Sequence, residues 1–446
     1  MEYIPIPVVI RIAISTSILA ILLLIGSASA LPMEEWNITF GESDYDIGYF
    51  AQQTSDRGYI IAGETNGKTW LIKTDSKGKG LWDVKFARGK AVFVKQTSDG
   101  GYYLIGETTQ GGGPHIGLRC NGETCGDIWL FINDIWIVKT DAKGKEQWNR
   151  TIRKKYSFGD PGFYVQQTAD GGYILATTIT SYGDNYIINN GWLIKIDSEG
   201  NEQWSKSFGG AGNIIYSVQQ TSDGGYIFTG DSGDAWLVKI DAKGNELWNK
   251  TFGGINEDSA HFVQLDNDGS YIIGGSTKLD GANNSDGWFI KVDASGNELW
   301  NRTFGGPDDN YIMAARQTLD GGYILLSRTN YQAAWLIKTN SDGGEQWNNT
   351  FSGKNISYSF NSIQRTIDGG YILTGWISPS NIGYYDVWVL KIKGEQKEAA
   401  EESKEIPVEK TSGFVGVMAI LALLTVYIFG GKILRLNIIH KAHRSK

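Results

Sequence analysis

The chain has 446 residues, with 58 glycines, 16 tryptophans, 12% aromatic residues and a formal net charge of −8. An acidic balance without a basic face argues against nucleic acid as a partner. Abundant glycine beside abundant tryptophan and tyrosine suits short strands with tight turns, and no long helical periodicity interrupts the middle of the chain.

In chain order, residues 1–30 read as a secretory signal peptide. Arg11 supplies the positive region, 12–25 are apolar, and Ala28-Ser29-Ala30 is a small-residue cleavage site, so the mature chain is expected to begin at Leu31. The competing reading is an uncleaved N-terminal anchor. Trp36-Asn37-Ile38-Thr39-Phe40 then reads as a lone strand that closes a repeat with nothing before it. From there the phrase Lys-x-Asp-x-x-Gly-x-x-x-Trp recurs, in its cleanest copy running from Lys239 to Trp248. Its tryptophans are Trp36, Trp82, Trp148, Trp204, Trp248, Trp300 and Trp347, with gaps of 46, 66, 56, 44, 52 and 47 residues. That period marks a propeller or a solenoid.

One copy, 214–252, parses into four strands at 217–221, 226–230, 235–241 and 246–252. Ser222-Asp223-Gly224-Gly225 and Ala242-Lys243-Gly244-Asn245 are the hairpin turns between the first and last pairs. The turn phrase Gln-Thr-x-Asp-Gly-Gly-Tyr begins at Gln96, Gln167, Gln220 and Gln317 and, with changes, at Gln53, Leu265 and Arg365. Seven copies of a four-stranded unit predict an all-β fold, a seven-bladed β-propeller of antiparallel blades over residues 31–393. The last copy, 356–392, has three strands and no closing tryptophan. The surplus N-terminal strand is therefore expected to complete it, which closes the ring and covers an edge that would otherwise invite aggregation.

Residues 394–412, rich in Glu and Lys, read as a flexible stalk. Residues 413–431 read as one C-terminal transmembrane helix, because 19 residues at about 1.5 Å each span roughly 28 Å. Lys432, Arg435, Lys441, Arg444 and Lys446 place the tail, 432–446, in the cytoplasm and the repeats outside a single-pass membrane anchor. Ser412-Gly413-Phe414 is similar to the C-terminal sorting signals of archaeal surface proteins, which carry Pro-Gly-Phe. The departure favours a retained helix.

The motifs Gln-Thr-x-Asp-Gly-Gly-Tyr-Ile and Trp-Leu-x-Lys-x-Asp-x-x-Gly-Asn-Glu-x-Trp resemble those of secreted, Trp-docked β-propeller repeat proteins of archaea and bacteria, over residues 36–393. The resemblance implies the fold and little about activity, since most such relatives have no assigned chemistry. The tryptophan motif is also similar to that of quinoprotein propellers. Those usually have eight blades and vicinal cysteines, whereas this chain has seven copies and separates Cys120 from Cys125 by four residues. A quinone is not carried over, and no cofactor is expected.

Strand direction sorts the loops. The first-to-second and third-to-fourth turns share one face and are short and repetitive. The second-to-third loops and blade connections share the other face and vary widely, with the longest excursion between Gly106 and Trp136. Binding concentrates on such loops. That excursion holds Cys120 and Cys125, for which an exported chain favours a disulfide; a metal site with His115 and free thiols remain open. The acids Asp44, Asp46, Glu257, Asp258, Asp308 and Asp309, with Asp280, Asn283, Asn284 and Asp286, are oxygen ligands of the kind calcium uses, and also ordinary turn residues.

The first strands repeat a polar position, Gln52, Lys95, Gln166, Gln219, Gln264, Arg316 and Gln364, expected to line the axial channel. Such a ring could hold a small acidic or sugar ligand, but bonding between blades is the favoured role because buried polar groups need partners. Glycosylation sequons occur at Asn37, Asn149, Asn249, Asn283, Asn301, Asn348 and Asn355. His-Glu-x-x-His and Gly-x-Ser-x-Gly are absent. The reading is a membrane-anchored, extracellular, non-enzymatic recognition or envelope protein that binds glycan or surface protein through its variable face. A carbohydrate-active enzyme and a structural envelope or S-layer spacer are the alternatives.

Overall fold

The computed structural model describes residues 34–394, apart from 42–44, 111–114, 122–123, 130–131, 153–162, 183–186, 211, 280, 330–332, 354–355 and 380–383. The expected signal peptide, membrane helix and tail lie outside these residues, as does the stalk except for Gly394.

The described residues open with β1 (Glu34–Phe40). Blade 1 is β2 (Asp46–Gln53), β3 (Tyr59–Thr65), β4 (Lys68–Thr74) and β5 (Gly80–Arg88). Blade 2 is β6 (Lys90–Gln96), β7 (Tyr102–Gln110), an inserted hairpin of β8 (His115–Asn121) and β9 (Thr124–Trp129), then β10 (Ile132–Thr140) and β11 (Glu146–Ile152). Blade 3 is β12 (Tyr164–Gln167), β13 (Tyr173–Tyr182), β14 (Ile187–Ile196) and β15 (Glu202–Phe208). Blade 4 is β16 (Ile214–Gln220), β17 (Tyr226–Asp231), β18 (Ala235–Ile240) and β19 (Glu246–Phe252). Blade 5 is β20 (Ser259–Leu265), β21 (Tyr271–Thr277), β22 (Asp286–Val292) and β23 (Glu298–Phe304). Blade 6 is β24 (Asn310–Gln317), β25 (Tyr323–Thr329), β26 (Ala333–Thr339) and β27 (Glu345–Phe351). Blade 7 is β28 (Ile356–Arg365), β29 (Tyr371–Pro379) and β30 (Asp386–Ile392), with β1 hydrogen-bonded to the outer edge of β30.

Each blade is a four-stranded antiparallel sheet, so the fold is a seven-bladed β-propeller. The first strands of neighbouring blades abut around the axis. β1 joins blade 7 in the register used by every other outer strand. Trp36 lies opposite Lys391, as Trp82 lies opposite Lys73, Trp248 opposite Lys239 and Trp347 opposite Lys338. Closure is thus specified by the same pairing rule as the interior blades.

Strand alternation here serves two interfaces at once. On β3, Ile60 and Ala62 pack toward blade 2, while Tyr59 and Ile61 pack toward blade 7. A strand covered on both faces reads as a continuous apolar run, as Tyr59–Thr65 does. Seven apolar clusters result, one in each gap between blades. The gap between blades 7 and 1 holds Val387, Val389 and Ile372 against Ala51, Ile61 and Trp70. Burial of this kind is worth roughly 1.5–3 kcal/mol for each large apolar side chain.

Tryptophans of the outer strands dock sideways onto the next blade. Trp36, Trp82, Trp204 and Trp300 meet Tyr59, Tyr102, Tyr226 and Tyr323 edge-on, with ring centroids 5.4, 5.9, 5.8 and 6.3 Å apart. The third-to-fourth turn of the next blade passes over the same indole. A β-carbon at Gly78 would sit 2.8 Å from the Trp36 ring, and Gly78 has φ +82°. Glycine is required there for both reasons.

Candidate recognition surface

One face of the ring is locked by repetition. In the turn between β2 and β3, the Asp56 carboxylate accepts hydrogen bonds from Thr54 Oγ1 at 2.5 Å and from the Gly58 amide at 3.0 Å. Lys73, buried on β4, completes a clasp with Asp56 at 2.9 Å. Equivalent pairs join Lys139 to Asp99, Lys195 to Asp170, Lys239 to Asp223, Lys291 to Asp268, Lys338 to Asp320 and Lys391 to Asp368. Burial works against ionisation of Asp170, Asp223 and Asp268. Hydrogen bonds from the lysine, a hydroxyl and a backbone amide outweigh it and hold each carboxyl at about 2. The third-to-fourth turns are as uniform: Asp241 Oδ1 accepts the Lys243 and Asn245 amides, each at 2.8 Å. Charged groups satisfied in this way have little left to offer a partner.

The opposite face breaks the repetition. It carries the blade connections and loops as different as the two-residue turn Asn66-Gly67 and the excursion bearing β8 and β9. Near this face the innermost strands carry a one-residue bulge in six blades, at Tyr49, Val92, Tyr216, His261, Met313 and Asn361. Phe163 holds the matching position before β12. A bulge leaves its extra residue outside the ladder and re-aims the side chain. All seven retain solvent exposure, and no two neighbours are alike. The sequence reading missed this ring and began the first strand of blade 4 at residue 217, whereas β16 starts at Ile214. The bulge at Tyr216 disrupts the alternation that would have extended it.

Three clusters surround the ring. His261 stands edge-on to Tyr216 at 5.4 Å and tilted to Tyr311 at 6.0 Å, and bonds Ser259 Oγ at 3.0 Å. Burial, aided by the nearby Arg328 guanidinium, lowers its pKa to about 4, and a backbone hydrogen bond with Ile312 offsets part of that. Between blades 1 and 2, Tyr49 reaches Glu64 at 3.3 Å, Lys90 lies over the Tyr49 ring, and Lys90 approaches Glu107 at 3.7 Å. Where the ring closes, Tyr45, Tyr385 and Trp376 form a chain of edge-on contacts at 4.9 and 4.8 Å. Tyr45 is 46% exposed. Beside them Asp386 has its pKa raised by burial and by the carboxylate of Asp46.

Two of the loop acids, Asp258 and Asp309, staple loops together through backbone amides. Asp258 accepts the Gly254 amide at 2.7 Å and the Lys278 amide at 3.1 Å. Asp309 accepts the Ser285 amide at 2.8 Å, and Asn284 bonds the Pro307 carbonyl. Asp44 and Asp280 lie outside the described residues. Among the described residues, no group of three or more His, Cys, Asp or Glu side chains is placed to hold a metal ion.

The inner polar positions divide. Gln52, Gln166 and Gln219 bond backbone amides of the next blade, at Gln96 (3.4 Å), Gln220 (2.6 Å) and Leu265. At the next position along the first strands, Gln53, Gln96 and Gln220 accept turn amides of the preceding blade, at Ile367, Ser55 and Ala169. Gln264 Oε1 is buried without a hydrogen-bond partner, and Lys95, Arg316 and Gln364 make no bond of this type. The sequon residues Asn37, Asn149, Asn249, Asn301 and Asn348 are exposed on outer strands, each donating to the glutamate three positions earlier. Asn283 is exposed in a loop, and Asn355 lies outside the described residues. Cys120 and Cys125 are directly opposed in the β8–β9 register.

No protein-family model matches the sequence, and no curated protein does. Among solved structures, a Bacteroides caccae protein of unknown function is similar, at 13% identity and a TM-score of 0.38. The match covers 69% of this chain and 94% of that one.

Proposed function

We propose that this protein is a membrane-anchored extracellular recognition or cell-envelope protein, and that it binds glycan or surface protein through the variable face of its propeller. The observation that carries the reading is the contrast between faces: clasped, repeating charges on one, and on the other a ring of seven dissimilar side chains amid unequal loops. A rigid scaffold with one irregular face is the usual arrangement for recognition. The aromatic chain of Tyr45, Tyr385 and Trp376 gives the face amphipathic surfaces on which sugar rings stack. The signal peptide, stalk and membrane helix read from the sequence would hold this face outside the cell at high local density, which suits weak multivalent contacts. Binding of the full-length, detergent-solubilised protein to glycan arrays and envelope extracts tests the proposal. Substituting Tyr45 and Tyr385 with alanine is expected to remove binding, and absence of binding in the wild type would sink it.

A second reading, a carbohydrate-active enzyme, draws on Asp46 and Asp386. Two interacting carboxyls beside aromatic rings, one with a raised pKa, are the elements of acid–base glycoside chemistry. Loss of a hydrolytic activity in Asp386→Asn with retained binding would favour that reading.

A further inference from the structure

Three of the seven inner polar positions cap an amide of the next blade; of the other four, Gln264 and Gln364 are amides and Lys95 and Arg316 are cations. Gln52, Gln166 and Gln219 each cap an amide on the free inner edge of the next blade's first strand. Those amides cannot serve their own sheet. Thr97, one residue beyond Gln96, already uses the adjacent ladder position by bonding the Gly101 carbonyl at 2.9 Å, and antiparallel pairing alternates inward and outward. In blades 2 and 6 the capping position is Lys95 and Arg316. An ammonium and a guanidinium carry donors only. They cannot cap the corresponding amides of Gln167 and Arg365.

Nothing described neutralises the two cations. Arg316 is half-buried in the channel and makes one hydrogen bond, to the carbonyl of its neighbour Ala315 at 2.7 Å. It lies within electrostatic reach of Tyr164, three blades away across the axis, and of Tyr371. Neither the capping ring nor the ring one residue further on contains an acid in any blade, and the second ring adds Arg365. The aspartates of the nearby turns are each held by their own lysine. Uncompensated positive charge at half-buried positions is costly, and an anion recovers that cost.

We propose that this end of the axial channel binds a small oxyanion, carboxylate or phosphate, between Arg316 and Lys95, with the uncapped amides of Gln167 and Arg365 as further donors. The site is at the opposite end of the axis from the variable face and is independent of what that face recognises.

The test is calorimetric titration of the full-length protein in detergent with inorganic phosphate and with citrate at low ionic strength. Lys95→Gln and Arg316→Gln restore the glutamine of the other blades, so both variants should fold, with unchanged or higher melting temperature in the absence of anion. Each is expected to weaken binding about ten-fold, as loss of a charged hydrogen-bonding partner does, and the double variant to abolish it. Binding of citrate alone assigns a carboxylate ligand, and binding of phosphate alone assigns phosphate. The proposal is overturned if the wild type binds neither probe at millimolar concentration, or if the double variant binds as the wild type does. It is also overturned if wild-type affinity is indifferent to added sodium chloride.

Discussion

Trp36 meets Tyr59 edge-on with ring centroids 5.4 Å apart, although Trp36 belongs to the last blade and Tyr59 to the first. The contact therefore spans the closure of the ring. Trp36→Ala is expected to destabilise the protein by about 2–4 kcal/mol, near the range for large-to-small aromatic truncations, measured by urea unfolding. Trp204→Ala, its counterpart between blades 3 and 4, should cost a similar amount. A Trp36 variant indistinguishable from wild type would mean that β1 contributes nothing to holding the ring.

The docking turn gives a sharper contrast. Gly78 and Gly224 have φ of +82° and +83°, but a β-carbon at Gly78 meets the Trp36 indole at 2.8 Å while one at Gly224 meets nothing within 4 Å. Gly224→Ala should cost about 1–2 kcal/mol for the left-handed backbone alone. Gly78→Ala should cost clearly more, because it also displaces the indole. Equal losses would show that the indole shifts without penalty.

The clasps predict acid behaviour. Asp170, Asp223 and Asp268 titrate at about 2 in the folded chain, against about 3.9 for an unfolded aspartate. Because the folded pKa is the lower, these groups add stability above about pH 4, lost as pH falls toward 2. Asp223 is more than half exposed, so Asp223→Asn should cost only about 0.5–1 kcal/mol at neutral pH. The same substitution should flatten the stability slope between pH 4 and 2. An unaltered slope in thermal melts across that range contradicts the assignment.

His261 acts higher on the pH scale. Its pKa of about 4 in the fold lies below the roughly 6.5 of a free imidazole. Burial therefore selects the neutral ring, and the stability it contributes is full above pH 6.5 and declines as pH falls toward 4. His261→Gln should remove that part of the decline. NMR titration of the ring should place its midpoint well below 6; a midpoint near 6.5 would mean the ring is solvated.

The inserted hairpin offers a chemical check. Directly opposed residues in an antiparallel pair have Cα atoms about 4.5–5.5 Å apart, inside the range a disulfide spans. Cys120 and Cys125 occupy such a pair. Thiol titration of protein purified without reductant is expected to find neither cysteine free. Reduction should loosen the local hairpin by roughly 2 kcal/mol, the loop-closure estimate for so short a span, and leave the propeller transition in place. Two reactive thiols would refute the disulfide.

Blade number, strand order and the closing role of β1 were legible because the Asp-Gly-Gly turn and the tryptophan phrase are local signals. Their glycines and aspartates act on their own turns, as Asp241 does. The clasps were half legible. A lysine such as Lys239 in a strand otherwise apolar signals a buried partner, but local spacing does not identify Asp223, which arrives through the fold of two hairpins. The bulged ring was not legible, since Tyr216 and Met313 read as ordinary strand residues and only the register with the second strand reveals the extra position. Which inner positions cap an amide was likewise hidden, because the groups being capped belong to another blade. Gln52 and Lys95 differ in chemistry, yet both fit a half-buried strand equally well.

The chain leaves the propeller from β30, and β30 is paired on both edges, with β29 inward and β1 outward. A pull transmitted through the segment beyond Gly394 would load two ladders together rather than peel one. Of the two, the outer is formed by β1, which joins β30 across the closure of the ring. Release of β1 would uncover the outer edge of β30 and open the ring at the same moment.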